Sequence, residues 1–161
     1  MTPKKLEDPS HHFMQMMMSL YFTEKVDTYS GVEAANTLPP MEAFVLGTMC
    51  LDKIYNSQAL SNRLFRPRTF DSRECDIFAE AGILGLVQRG YLKPASKAAE
   101  QALNSRNDKV WGLGDVPFVV TAKGAKRIGY LVANLRGEDV KEVVKNLQQE
   151  SKEAAKGWSP C

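Results

Sequence analysis

The chain has little of three features that define whole classes of protein: cysteine, histidine and long apolar runs. Its three cysteines are scattered at Cys50, Cys75 and Cys161, which gives neither an even disulfide framework nor metal-ligand spacing. Its two histidines, His11 and His12, are adjacent and have no third ligand nearby. No Ser/His/Asp or Cys/His arrangement is present either. We therefore predict no metal, no cofactor and no catalytic residues, and we interpret the protein as not an enzyme.

Apolar runs are also short, and none approaches the roughly 18 residues of a membrane span. The Met-rich stretch after the first polar residues lacks a small-residue cleavage site, so we do not interpret it as a signal peptide. The scarce cysteines fit a reducing compartment. We expect a cytoplasmic protein with no membrane partner.

Strong net charge is absent as well. The formal net charge is +2 over 161 residues, with a pI of about 8.4, whereas a strongly basic nucleic-acid-binding domain lies above about pI 9. A nucleic-acid function must therefore depend on local clusters of charge.

The two ends of the chain differ from its middle. Residues 1–12 are polar and predict a mobile arm. Residues 13–39 predict a Met-rich helix followed by a linker. Because that helix is apolar on most sides, it is either a core helix or a helix shared across a dimer. Residues 136–161 predict a charged helix with a narrow apolar stripe, which is either solvated or a dimerisation arm.

The central residues, 40–135, predict a mainly helical fold with a small β-hairpin. Pro40 suits a first helical turn, and Thr121 caps a later helix. Either Asp71 or Ser72 caps the third helix, with Glu74 three residues after Asp71 as the partner in a capping box. Cys50 falls in an apolar helix and is interpreted as a core residue. The predicted order is helices at 41–54, 58–65 and 72–88, a strand at 91–93, a long connection over 94–117, a strand at 118–120 and a helix at 122–135.

Two motifs carry a family resemblance. The Leu-Val-Gln-Arg-Gly-Tyr-Leu segment at 86–92 and the Val-Thr-Ala-Lys-Gly segment at 120–124 resemble the winged helix-turn-helix domains of MarR-like and PadR-like bacterial transcription regulators. The resemblance covers residues 40–135. It implies a homodimer, joined by helices outside the winged domain, that regulates transcription by binding double-stranded DNA. It also implies that the third helix enters the major groove.

Local charge supports this expectation. Between Ser61 and Arg73 the chain holds four arginines and one aspartate, and cations of this kind bind phosphate by releasing counterions. The connection at 94–117 adds further basic residues. The residues that we predict to bind DNA are Asn62, Arg63, Arg66, Arg68, Ser72 and Arg73 around the helix-turn-helix, and Lys97, Arg106 and Lys109 in the wing.

Acidic residues on the third helix leave a second hypothesis open. Glu74, Asp76 and Glu80 lie on the helix that should face DNA. We interpret Glu74 as a cap and Glu80 as a solvated side chain. The alternative is that the winged helix is a protein-interaction module with no DNA binding. Cys75 is either a packing residue or a redox-sensing thiol at a helix N-terminus.

Overall fold

The computed structural model describes residues 38–64, 72–105 and 113–160. Within them the chain is mainly helical with one small antiparallel sheet, which confirms the predicted fold class at this level. The predicted arm and the Met-rich helix lie outside the described residues. The elements are α1 (Pro40–Asp52), α2 (Ser57–Leu64), α3 (Ser72–Gln88), β1 (Leu92–Pro94), α4 (Lys97–Asn104), β2 (Phe118–Val120), α5 (Ala122–Arg136) and α6 (Val140–Ala155).

The helix ends follow from local sequence. Helix α1 has a proline in its first turn and ends at Lys53, which has the left-handed φ of 57°. Helix α2 begins one residue earlier than predicted, because the side chain of Asn56 accepts a hydrogen bond from the amide of Ala59 at 2.8 Å. Thr121 caps α5 as predicted, accepting from the amide of Gly124 at 3.0 Å.

The sheet has two short strands, and the connection between α1 and α2 is hydrogen-bonded to one of them. β1 and β2 pair antiparallel, with Leu92 opposite Val120. The backbone amide of Phe118 donates to the carbonyl of Tyr55 at 2.9 Å, which ties the α1–α2 connection to β2. The chain between the strands is more than a hairpin tip, because it contains α4, capped by Ser96.

The core lies between all of these elements. The apolar stripe of α6 is buried inside this chain, with Val143 and Leu147 almost fully inaccessible and Gly129 of α5 against Val144. Burial of the stripe therefore needs no second copy of the chain. Cys50 is fully buried, as predicted. The largest fully buried side chains are Phe118, Leu38, Leu46, Met49, Leu60, Ile83, Leu86, Leu92, Ile128 and Leu147.

Candidate nucleic-acid interface

Helices α2 and α3 pack directly on each other and lie where the helix-turn-helix was predicted. Leu60 on α2 and Ala79, Ile83 and Leu86 on α3 are fully buried. These residues fix the inner faces of both helices and leave the outer faces for a partner.

Two of the predicted DNA-binding residues lie near the end of α2. Asn62 and Arg63 are half-buried, and Nε of Arg63 lies 2.9 Å from the carboxylate of Asp52. The two side chains of this pair are 34% and 24% exposed, although the Asp52 oxygen that faces Arg63 is itself inaccessible to solvent, so the pair is partly buried. A phosphate would compete with Asp52 for Arg63.

The other predicted residues are only partly covered by the structure. Lys97 is exposed and is the first residue of α4. Ser72 and Arg73 open α3, and only their backbone is described. Arg66, Arg68, Arg106 and Lys109 lie outside the described residues.

The interpretation of Glu80 as a solvated residue was wrong. Glu80 is 7% exposed, and its carboxylate accepts a hydrogen bond from the backbone amide of Leu113. The buried amide needs an acceptor, and α3 supplies it from a helix position beside the core residue Ala79. One of the three acids on α3 is therefore removed from its outer surface, while Asp76 is exposed.

Arg136 belongs to the segment predicted as a charged helix that is solvated or a dimerisation arm, but the structure places its side chain inside. Its side chain is 9% exposed and donates to the carboxylate of Glu150 at 3.0 and 3.1 Å. It also donates to the carbonyl of Cys50. No local sequence pattern indicates this contact, because Glu150 is on the next helix and Cys50 is on α1.

Cys50 and Tyr55 lie near this ion pair. Burial raises the pKa of Cys50 to about 12, although the nearby Arg136 opposes the shift. Burial also raises the pKa of Tyr55. At neutral pH both groups are therefore protonated, and a protonated buried thiol is not a nucleophile.

A groove of about 560 Å³ lies between the end of α1 and α6. Of its two carboxylates, Glu150 is paired with Arg136 and Glu153 with Lys156. The groove therefore presents groups that already have partners within the chain. It is lined by Lys53, Asn146, Gln149, Glu150, Glu153 and Ala154.

Across the residues that the structure describes, no group of three or more His, Cys, Asp or Glu side chains is placed to hold a metal ion. None of the described helices combines the length and the apolarity that crossing a membrane requires. Comparison with protein-family models, curated proteins and solved structures gives no match to this chain.

Proposed function

We propose that this protein binds double-stranded DNA through α2 and α3 and regulates transcription as a cytoplasmic winged-helix homodimer. The observation that carries the proposal is the packed pair α2–α3 followed by β1, which pairs antiparallel with β2 after the intervening α4. This order agrees with the winged helix-turn-helix that the two sequence motifs resemble. The burial of Glu80 adds support, because it removes one acid from the outer surface of α3.

In this proposal the first turn of α3 enters the major groove. Ser72 and Arg73 approach base edges, as the N-terminal residues of a recognition helix do. The side chains that contact phosphate fix the position of the protein on the duplex but do not read its sequence. These residues are Asn62, Arg63, Arg66 and Arg68, which precede α3 in the sequence, and Lys97, Arg106 and Lys109, which lie in the sequence between the two strands.

The salt dependence of binding tests the proposal. Fluorescence anisotropy with a labelled random-sequence duplex, titrated from about 50 to 200 mM salt, should show an affinity near 10⁻⁶ M that falls steeply, since phosphate contacts release counterions. The double variant Arg66→Glu/Arg68→Glu should lose nearly all binding. Binding that this reversal leaves unchanged would refute the assignment.

A charge-matched control separates local contact from net charge. Lys141→Glu/Lys145→Glu makes the same change in net charge but alters exposed lysines on α6, which packs against α5 and β2. It should retain affinity within about fivefold, because charges beyond a Debye length are largely screened.

One observation favours a second candidate, a protein-interaction module. Ile77 is 39% exposed next to the exposed Asp76 near the start of α3. An exposed apolar side chain beside an acid suits a protein surface better than a phosphate backbone. This candidate would be favoured if the protein bound no duplex even at about 50 mM salt and if Ile77→Glu abolished binding of a specific co-purifying protein.

A further inference from the structure

A second basic surface lies at the other end of α3. The segments 88–94 and 121–137 together contain six lysines and arginines and no acidic residue. One of the six, Arg136, is buried in its ion pair. Four of the others are exposed and define what we call the cationic face: Arg89, Lys93, Lys123 and Lys126.

The fold brings these four residues together from three elements. Nζ of Lys123 donates to the carbonyl of Arg89 at 2.8 Å and lies 4.7 Å from the ring centre of Tyr91. Lys93 is exposed on β1, two residues after Tyr91, whose ring Lys123 covers. Lys126 lies three residues after Lys123 on the same surface of α5.

The backbone beneath the cationic face is fixed. The hydroxyl of Thr121 accepts from the amide of Gly124 at 3.0 Å and donates to the carbonyl of Gly90 at 2.6 Å. Gly124 also lies against the carbonyl of Tyr91, where a Cβ atom would clash. The start of α5 and the turn before β1 are therefore held against each other, and the lysines project from a rigid base.

Lys93 and Lys126 keep their charges available. Neither has an acidic partner among the described residues, whereas Arg89 is paired with Glu42 at 2.6 Å. The face continues along α5 to Tyr130, which is 57% exposed. Closely spaced cations that have no acidic partner, such as Lys93 and Lys126, are complementary to a phosphate backbone.

Arg89, Lys123 and Lys126 of the cationic face lie at the opposite end of α3 from the residues proposed to read bases. Helix α3 has seventeen residues, Ser72–Gln88, so its two ends are about 24 Å apart along the axis, and Arg89 follows directly. A major groove is only about 8.5 Å deep. If the first turn of α3 reads base edges and the helix axis points out of the groove, Arg89 at the other end of the helix lies clear of that stretch of duplex.

We propose that the cationic face binds the phosphate backbone of a second DNA segment, so that the protein bridges two duplexes. This inference rests on the proposed function, because it takes the first segment to lie on α2 and α3. The two surfaces are at opposite ends of one rigid helix, and they can be mutated separately.

Fluorescence resonance energy transfer between two short duplexes, one with a donor and one with an acceptor, tests the inference. The wild-type protein should bring the two duplexes together. Lys93→Glu/Lys126→Glu should abolish the transfer yet retain affinity for one duplex within about fivefold, because other residues on α2 and α3 hold the first segment. The control Lys141→Glu/Lys145→Glu should retain both properties. Circular dichroism and thermal melting establish that each variant is folded.

The outcomes separate this inference from the proposed function. Transfer that survives in Lys93→Glu/Lys126→Glu, or that the control variant also abolishes, overturns bridging by the cationic face. Wild-type binding to one duplex without transfer overturns it too, while DNA binding by α2 and α3 still stands. If Arg66→Glu/Arg68→Glu leaves duplex binding intact and Lys93→Glu/Lys126→Glu abolishes it, bridging is overturned and the proposed α2–α3 site fails with it. If the wild type binds no duplex, both proposals fail.

Discussion

At the scale of single residues, burial decides the chemistry of Cys50. Its thiol is fully inaccessible, and removal from water disfavours the thiolate. The pKa of Cys50 is therefore raised to about 12, with Arg136 opposing the shift. The pKa of Tyr55 is raised by burial as well.

These shifts predict that stability falls at alkaline pH. In the unfolded chain a thiol ionises near pH 8.5, so above that pH the unfolded state releases a proton that the folded state retains. The free energy of unfolding should therefore be unaffected by Cys50 below about pH 8. It should fall by about 1.4 kcal/mol per pH unit from about pH 9 towards the folded pKa. Urea denaturation between about pH 8 and 10 measures this.

The variant Cys50→Ala is the control for that prediction. It should be less stable at pH 7, because a buried side chain is shortened. Its stability should change less between about pH 9 and 10, because the contribution of the thiol is absent and Tyr55 becomes half-ionised in the unfolded chain only at about pH 10. Both proteins should carry Cys75→Ser and Cys161→Ser, so that no other thiol contributes. A wild-type stability that stays constant over this range would contradict the assignment.

At the scale of elements, the junction between β1 and α5 depends on a glycine. Gly124 lies in the first turn of α5, and a Cβ atom there would overlap the backbone carbonyl of Tyr91. Gly85 of α3 also lies in a close contact, but its neighbour is the side chain of Glu42. Backbone cannot move aside without disturbing the sheet, whereas a glutamate side chain can rotate.

The comparison of two alanine variants tests this difference. In both positions alanine gains about 1 kcal/mol of helix propensity over glycine. Gly124→Ala should nevertheless destabilise the protein by about 1–3 kcal/mol, as overpacking does. Gly85→Ala should be nearly neutral, because the displaced Glu42–Arg89 pair is worth only about 0–1 kcal/mol. Urea denaturation measures the free energy of unfolding of both variants. A Gly124→Ala variant as neutral as Gly85→Ala would show that α5 can shift away from the turn.

At the scale of the whole molecule, Arg136 joins three helices. It extends from the end of α5, pairs with Glu150 on α6 and donates to a carbonyl at the end of α1. Since α6 also covers the core with Val143 and Leu147, this ion pair lies where the C-terminal helix meets the rest of the chain.

Removing one partner of this pair should be costly. Arg136→Met preserves much of the apolar stem but leaves Glu150 and the Cys50 carbonyl without their donor. Loss of one partner of a buried pair costs about 3–5 kcal/mol, and because Glu150 is 23% exposed we expect about 2–4 kcal/mol. Denaturation followed by far-ultraviolet circular dichroism and by tryptophan fluorescence measures this.

The exposed pair of Glu153 and Lys156 provides the matched control. These side chains are 52% and 71% exposed, so Glu153→Gln should change stability by less than about 0.5 kcal/mol. A similar small effect of Arg136→Met would show that the interior pair contributes no more than a surface one.

The sequence by itself determined the local structure of the described region. Except for α4, which lies in the long connection predicted over 94–117, helix and strand positions followed from apolar spacing. The Thr121 cap and the proline at the start of α1 followed from backbone chemistry that acts over a few residues. The basic segment around α2 and the family resemblance were equally readable, because both depend on neighbouring residues.

Only the tertiary structure decided which charged residues face solvent. Glu80 and Arg136 have ordinary surface patterns in sequence, yet each is buried because a group distant in the chain needs its hydrogen bonds. The cationic face was equally inaccessible to sequence reasoning, since its members come from the end of α3, from β1 and from α5. Local propensity acts over one or two turns, whereas burial and the juxtaposition of charges depend on how whole elements pack.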